Sequence, residues 1–210
     1  MAVVVVDTGL GNLRSVEKAL AAAASERGLS VAVVRASDPE QVRRADRIVV
    51  PGQGGFRDCA RALSGGLRSA LEEAIGRGTP YFGICLGLQV LFESSAEAPG
   101  EHGLGVIAGS VERLDPTGVK IPHMGWNPLE LGEPAHPWLA EAGGEGTFFY
   151  FVHSFHAVPK DTSVTRASCS YGENRVTAAV CKDNVFAVQF HPEKSQRAGL
   201  TLLGAFLAST

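Results

Sequence analysis

The segment Pro-Tyr-Phe-Gly-Ile-Cys-Leu-Gly-Leu-Gln occupies residues 80–89 and places one cysteine between two glycines, directly after an apolar run. The run predicts a buried strand, and the residues after Cys85 predict the start of a helix. A side chain on such a sharp turn is pushed out over the end of the sheet, and the flanking glycines leave room for the turn. The free N–H groups of a helix N-terminus also favour a thiolate. The segment therefore predicts a nucleophilic Cys85.

Short apolar runs alternate with amphipathic stretches in the first half of the chain. Apolar runs without polar alternation are typical of parallel strands that are buried on both faces. Strands that alternate with helices predict right-handed crossovers, so we expect an α/β fold with an open, doubly wound, mostly parallel sheet. The predicted strands are residues 2–6, 31–34, 47–50 and 80–84, and the predicted helices are 12–27, 39–44 and 56–77, the last interrupted at 64–66.

The pattern changes after residue 95, where turn residues separate a series of short strands. We expect these strands to add an antiparallel region in the C-terminal half. They are predicted at residues 111–114, 147–152, 164–169, 176–181 and 185–190, followed by a closing helix at 196–207. The chain has 210 residues and shows no repeat or linker, so a single domain over 1–210 is expected.

Composition excludes several classes of function. A formal net charge of −3 gives no reason to expect nucleic acid or an anionic membrane as a partner. The apolar run at residues 2–6 is too short for a signal peptide or a membrane span, so a cytoplasmic protein is expected. The cysteines show neither a CxxC pair nor zinc-type spacing with histidine, so we expect no metal and no cofactor. Cys59, Cys169 and Cys181 are expected to be small buried residues, and a Cys169–Cys181 disulfide is the alternative.

A second motif, Gln-Phe-His-Pro-Glu at residues 189–193, ends a predicted strand. In an extended segment, residues i and i+2 point to the same side, and Pro192 favours an extended backbone at His191. Glu193 can then accept a hydrogen bond from one ring nitrogen while the other nitrogen faces the thiol. We therefore predict a catalytic triad of Cys85, His191 and Glu193. The alternative is a surface histidine with an unrelated glutamate.

A third motif, Val-Pro-Gly-Gln-Gly-Gly-Phe at residues 50–56, also follows a predicted strand. A glycine-rich turn can present backbone N–H groups without obstruction by side chains, as an oxyanion hole requires. We predict that Gly52 and Gln53 contribute to such a hole together with Leu86, the residue after the nucleophile. A phosphate-binding loop would need a GxxxxGK[ST] pattern, which the segment lacks. A plain turn remains the other alternative.

Together, the three motifs resemble the class I glutamine amidotransferases over nearly the whole chain, from Asp7 to about Ser195. Within that class, the chain is most similar to the glutaminase subunits of imidazole glycerol phosphate synthase. The segments that carry this likeness are residues 7–15, 123–127, 150–155 and 191–195. The resemblance implies a flavodoxin-like fold and the hydrolysis of L-glutamine to glutamate and ammonia through a thioester on the cysteine.

The resemblance also implies a partner. Ammonia would pass to a separate (β/α)₈ cyclase subunit in a heterodimer, and that subunit would form imidazole glycerol phosphate in histidine biosynthesis. By the same likeness, the residues of the glutamine pocket would be Gly52, Gln89, Glu97, Ser154 and Phe155. The residues on the cyclase side would be Asn12, Met124, Trp126 and Lys194. Thr8 and Gln53 depart from the family pattern, and Gln53 lies in the predicted oxyanion loop.

Three alternatives remain beside this interpretation. They are a stand-alone cysteine hydrolase, a glutaminase subunit of another synthase, and a binding protein that keeps the triad as a relic. The intact triad disfavours the relic, and the Met-Gly-Trp-Asn segment at residues 124–127 disfavours the other two. His153 and His156 are expected to be packed or hydrogen-bonded, whereas His123 and Trp126 are expected on a partner surface.

Overall fold

Strands and helices alternate in the first half of the chain, as the sequence predicts, and successive strands dominate the second half. The computed structural model describes residues 1–209. The elements are β1 (Ala2–Val6), α1 (Leu13–Glu26), β2 (Ala32–Ala36), α2 (Pro39–Arg43), β3 (Arg47–Gly52), α3 (Phe56–Ala62), α4 (Gly66–Gly76), β4 (Tyr81–Cys85), α5 (Leu86–Gln89), β5 (Ser94–Ser95), β6 (Gly109–Arg113), β7 (His123–Pro128), β8 (Glu130–Leu131), α6 (Pro137–Glu141), β9 (Phe148–His153), β10 (Phe155–Pro159), β11 (Thr165–Tyr171), β12 (Asn174–Lys182), β13 (Val185–Val188) and α7 (Gln196–Ala208). Short 3₁₀ turns cover Thr162–Val164 and Pro192–Lys194.

The main sheet has eight strands in the order β2-β1-β3-β4-β13-β12-β11-β8. Neighbouring strands from β2 to β13 run parallel, whereas β12, β11 and β8 continue the sheet in antiparallel pairs. This arrangement confirms the predicted mostly parallel sheet with an antiparallel region. The carboxyl ends of β3, β4 and β13 lie at one edge of the sheet, where sites in open α/β folds are found.

Helices cover both faces of this sheet. One core packs α1 and α7 against the sheet and includes Leu20 and Phe206, and the opposite core packs α3 and α4 and includes Phe56 and Leu71. Strands β1, β3, β4 and β13 are almost entirely buried. The expectation of a strand buried on both faces is wrong for β2. This strand forms the sheet edge and leaves Val34 39% exposed.

Two smaller sheets lie beside the main one. Strands β10, β6 and β5 form the first, and β7 and β9 form a two-stranded antiparallel ribbon. The sequence analysis missed β5, β7, β8 and β10. In β7, His-Met-Gly-Trp-Asn-Pro has few β-branched residues, and the strand depends on pairing with β9, which lies far along the chain.

The cysteines behave mostly as expected. Within residues 1–209 all four thiols are free, so the alternative of a Cys169–Cys181 disulfide is wrong. Burial is confirmed for Cys59 and Cys169, whereas Cys181 is partly exposed because it lies one residue before the end of β12.

Glycines permit the close packing of α5 on the strands beneath it. A Cβ added to Gly87 would lie 1.8 Å from the carbonyl oxygen of Val50, and one added to Gly83 would lie 2.4 Å from the carbonyl oxygen of Gly87. Both obstacles are backbone atoms, which cannot rotate away as a side chain would. The chain after Cys85 can therefore turn back over the sheet only if these positions lack side chains.

We expect Gly87→Ala to lower the free energy of unfolding by about 3 kcal/mol, because the added methyl group overpacks a rigid backbone contact. Urea denaturation of the purified chain would measure the loss. Gly76→Ala is a matched control, since no atom lies within 4 Å of its added Cβ and Gly76 ends helix α4. Equal midpoints for Gly87→Ala and the wild type would contradict this account of the turn.

Candidate active site

Cys85 lies on a strained turn at the end of β4. Its backbone has φ 55° and ψ −104°, a conformation that non-glycine residues rarely adopt. Cys85 is paired in register with Gly52 at the end of β3, and only 6% of its surface is exposed. The strained turn from β4 into α5 is the arrangement that presents a nucleophile at the top of an α/β sheet.

His191 and Glu193 are held together beside the end of β13. His191 Nδ1 lies 2.8 Å from Glu193 Oε1, and both side chains are almost completely buried. The backbone N–H of His191 donates to the carbonyl oxygen of Tyr150, and the hydroxyl of Ser195 donates to the carbonyl oxygen of His191. These bonds fix the peptide groups on both sides of the His191 Cα atom.

The predicted geometry of this pair is partly wrong. Only His191 is extended, because Pro192–Lys194 forms a 3₁₀ turn in place of a continued strand. Proline fits the first position of such a turn, where its missing N–H costs nothing. The turn brings Glu193 back toward the ring, so the contact arises from a tight turn and not from the alternation of a strand.

The electrostatic surroundings favour a charged imidazole. Burial lowers the pKa of His191, but interactions with Cys85 and Glu193 outweigh burial and raise this pKa from 6.5 to about 9. Within residues 1–209, no hydrogen bond reaches His191 Nε2. Of the groups that raise this pKa, Cys85 contributes first and Glu193 second. The arrangement suits a thiolate–imidazolium pair.

A cavity of about 250 Å³ opens at this edge of the sheet. It brings together most of the residues that the sequence analysis assigned to catalysis, the oxyanion hole and the glutamine pocket. Its lining residues are Gln53, Gly54, Cys85, Leu86, Gln89, Glu97, Pro122, Val152, His153, Ser154, Phe155 and His191. Glu193 lies behind His191, in the wall of a much smaller cavity.

Gly52 lies beneath the cavity and is absent from its lining. A Cβ at this position would lie 2.6 Å from Leu86 Cβ, so the glycine allows the 52–54 loop to pack on the nucleophile turn. Gly54 has φ 107°, which only glycine adopts readily. The two segments predicted to form the oxyanion hole are therefore in contact, and the hole itself stays a prediction.

Two polar side chains in the cavity have defined partners. Glu97 Oε2 accepts a hydrogen bond of 2.9 Å from the backbone N–H of Phe56, at the start of α3. Gln89 Nε2 donates to the carbonyl oxygen of Phe155, also at 2.9 Å. A carboxylate and an amide thus line one small space.

The four residues predicted on the partner side are all exposed. Met124 and Trp126 are 61% and 46% exposed on the outer face of the β7–β9 ribbon. Asn12 caps α1 by accepting a hydrogen bond from the Ser15 N–H. Lys194 Nζ lies 5.8 Å from the centre of the Tyr150 ring. The expectation for His123 is wrong, because this side chain points inward and is 2% exposed.

Two residues at the site, Gln189 and His153, were not predicted from the sequence as site residues. Gln189 is fully buried, and its Nε2 donates to Cys85 Sγ at 3.5 Å. A usable signal existed, since an amide in an otherwise apolar strand end needs a buried partner. The partner could not be named because residue 85 lies far away in the sequence.

No helix within residues 1–209 is long and apolar enough to cross a membrane. Over the same residues, no group of three or more histidine, cysteine or acidic side chains is arranged to hold a metal ion.

Comparison with known sequences gives matches over nearly the full chain. A sequence profile described as class-I glutamine amidotransferase matches residues 5–208. A protein from Rhodospirillum rubrum described as imidazole glycerol phosphate synthase subunit HisH is 46% identical over 213 residues, which cover 99% of this chain and 98% of the relative. A protein from Pyrococcus furiosus with the same description is 41% identical over 204 residues, which cover 97% of each chain.

Solved structures share the fold at lower sequence identity. PurLQS from Thermotoga maritima has a TM-score of 0.72 at 22% identity, and the match covers 98% of this chain and 97% of that chain. The glutaminase domain of Trypanosoma brucei CTPS with bound acivicin has a TM-score of 0.68 at 17% identity, covering 100% and 95%. At these identities the likeness supports the fold alone.

We expect Glu193→Gln to lower the pKa of His191 from its value of about 9. The carboxylate stabilises the imidazolium, so its loss favours the neutral ring. NMR titration of the imidazole nitrogens would measure the change, with the His191 signals identified from a His191→Gln spectrum. Glu72→Gln, which removes an exposed carboxylate on α4, is the control. An unchanged pKa of His191 in Glu193→Gln would show that Glu193 does not raise this pKa.

Proposed function

The chain belongs to the class I glutamine amidotransferase family, and we propose that it is the glutaminase subunit of an imidazole glycerol phosphate synthase, with Cys85, His191 and Glu193 as its catalytic residues. The observation that carries the chemistry is the strained Cys85 turn, which shares one cavity with His191 while Glu193 holds the ring from behind. Family membership favours an amidotransferase over a stand-alone cysteine hydrolase.

The first half-reaction breaks the amide bond of glutamine. The Cys85 thiolate attacks the side-chain carbonyl carbon, and the resulting oxyanion lies beside the 52–54 loop and Leu86. His191 then donates its Nε2 proton to the departing nitrogen, so ammonia leaves and a γ-glutamyl thioester remains on the sulfur. A raised imidazole pKa suits this step because the ring stays protonated at neutral pH.

The second half-reaction consumes water. Neutral His191 accepts a proton from a water molecule as that water attacks the thioester carbonyl. The C–S bond breaks, glutamate leaves, and the thiolate–imidazolium pair is restored. Glu193 keeps the proton of the ring on Nδ1, because its Oε1 accepts from this nitrogen at 2.8 Å.

The remaining cavity residues suit the α-amino acid end of glutamine. Glu97 supplies a carboxylate for the ammonium group, and Gln89 and the 154–155 segment supply polar groups around it. A volume of about 250 Å³ suits a small amino acid and is too small for a folded peptide. This fit supports glutamine as the substrate.

The outer face of the β7–β9 ribbon suits a protein partner. Met124, Trp126 and Phe148 are exposed apolar side chains on this face, where Trp126 opposes Tyr150 across the ribbon. Exposed aromatic residues and methionine are enriched at interfaces. We propose that this face, with Asn12 and Lys194, docks on a (β/α)₈ cyclase subunit that receives the ammonia.

We expect Cys85→Ala to abolish glutamine hydrolysis while the complex with the cyclase still makes imidazole glycerol phosphate from added ammonium salts. The variant lacks the nucleophile but keeps the surface that meets the partner. Parallel assays with glutamine and with ammonium chloride would measure both activities. Cys169→Ala is the control, because this buried thiol lies in β11, away from the cavity. Loss of both activities in an assembled complex would contradict the proposed division of labour.

We expect Trp126→Ala to weaken cyclase binding by about tenfold, as truncation of a buried interface aromatic does. Isothermal titration calorimetry with the cyclase would measure the affinity. Val34→Ala removes another exposed apolar side chain, in β2 at the edge of the main sheet and outside the ribbon, and serves as the control. Equal affinities for Trp126→Ala and wild type would place the partner elsewhere.

A further inference from the structure

The inner face of the β7–β9 ribbon holds a buried pair of histidines. His123 and His153 are opposite each other in the strand register, and they are 2% and 6% exposed. His123 Nδ1 lies 3.0 Å from His153 Nε2. The His123 ring stacks between Tyr171 and Phe151, with ring centres 4.0 and 4.8 Å away. Burying two polar rings in such an apolar setting costs free energy unless their nitrogens are hydrogen-bonded.

Two backbone carbonyl groups fix the direction of every hydrogen bond through this pair. The Phe155 carbonyl oxygen lies 3.0 Å from His153 Nδ1 and can only accept, so this nitrogen carries a proton. In a neutral ring, Nε2 of His153 must then accept from His123 Nδ1. At the other end, Asn127 Nδ2 donates to the carbonyl oxygen of Ser170 at 2.9 Å and lies 3.4 Å from His123 Nε2. One tautomer of each histidine satisfies all these contacts.

Both histidines are uncharged at neutral pH. Burial lowers the pKa of His123 to about 4 and that of His153 to about 3. His123, His156 and His191 lower the pKa of His153 further, whereas its hydrogen bond to the Phe155 carbonyl oxygen raises it, but by too little to offset burial. The two rings therefore act as fixed donors and acceptors in this setting and not as proton carriers.

The Phe155 carbonyl group also connects this hydrogen-bonded pair to the catalytic cysteine, through two glutamine side chains. It also accepts from Gln89 Nε2, and this amide nitrogen donates in addition to Gln189 Oε1 at 3.1 Å. With its oxygen so engaged, Gln189 must turn its nitrogen toward Cys85 Sγ, at 3.5 Å. A reversed Gln189 would place two amide nitrogens against each other. The orientation of both amides thus follows from one carbonyl oxygen.

We propose that His123 and His153 are positioning residues that hold the Phe155 carbonyl group and thereby aim one N–H of Gln189 at the sulfur of Cys85. This donor stabilises the thiolate, since a hydrogen bond to the charged form of a group favours that form. The inference rests on the proposed function, because it assigns a role in the reactivity of the same nucleophile. We call the connected groups of His123, His153, Phe155, Gln89 and Gln189 the imidazole–amide chain.

The test measures the reactivity of Cys85 without glutamine, because His153 also lines the cavity and its loss can affect substrate binding directly. The full-length chain is treated with iodoacetamide at neutral pH, and the alkylation of each cysteine peptide is followed by mass spectrometry. His153→Leu keeps a side chain of similar bulk but removes the donor to Phe155. We expect alkylation of Cys85 to slow by about tenfold, the order expected for a lost hydrogen bond to a charged group.

Three further variants separate positioning from packing. His153→Asn can still donate to the Phe155 carbonyl oxygen, so alkylation of Cys85 should return to within about twofold of wild type. His123→Phe keeps the aromatic stack but frees the tautomer of His153, so it should slow the reaction in the same direction as His153→Leu. His136→Leu is the matched control, since His136 is also neutral through burial and its Nδ1 accepts from the backbone N–H of Trp138 in the first turn of α6. It should leave the Cys85 rate unchanged.

The outcomes that overturn the inference are distinct. Cys59 and Cys169 are buried and report on loosening of the fold. If His153→Leu and His123→Phe both speed the alkylation of Cys59, Cys169 and Cys85 together, the histidines only pack the core. An unchanged Cys85 rate in both variants would lead to the same conclusion. Glutamine hydrolysis by wild type and Cys85→Ala is measured beside them with the cyclase. Absence of Cys85-dependent hydrolysis would refute the proposed function, whereas the alkylation rates judge the imidazole–amide chain by themselves.

Discussion

A Cβ added to Gly87 would lie 1.8 Å from the carbonyl oxygen of Val50, and the geometry of the reactive centre depends on this close backbone contact. Because α5 can settle onto the sheet there, the chain must reverse at Cys85, which takes a positive φ of 55°. The same packing brings Leu86 against Gly52, so the nucleophile and the glycine-rich loop meet. The position of the Cys85 thiol is therefore set by steric contacts of the backbone and does not depend on nearby charges.

The two buried histidines near this turn show that neighbouring groups determine the protonation state of a buried imidazole. His191 and His153 are both almost completely buried, yet their pKa values shift in opposite directions, to about 9 and about 3. His191 faces the Glu193 carboxylate and the Cys85 thiol, which stabilise a positive charge on its ring. His153 faces a backbone carbonyl and another neutral ring, which do not compensate its loss of hydration. One residue type thus supplies an acid–base group and a fixed donor in the same cavity.

The sequence predicts the parallel sheet and the nucleophile turn because both depend on local sequence patterns. Unbroken apolar runs indicate the buried parallel strands, and the glycines that flank Cys85 indicate the turn. The sequence also predicts the contact of His191 with Glu193. The prediction assumed a continuous extended strand, whereas a 3₁₀ turn forms the contact. Strands β7 and β10 were missed because tertiary pairing and not their composition makes them extended. Gln189 and His153 were missed for a related reason, since the side chains that they contact, Cys85 and His123, lie tens of residues away in the sequence.

The central claim is that Cys85 forms a covalent intermediate with the side chain of glutamine. Acid quenching of the chain during turnover with glutamine and the cyclase, followed by peptide mass spectrometry, would test it most directly. The account predicts a γ-glutamyl group on the peptide that contains Cys85 and on no other cysteine peptide. Release of ammonia at full rate without such an adduct, or with the adduct on Cys59, Cys169 or Cys181, would contradict it.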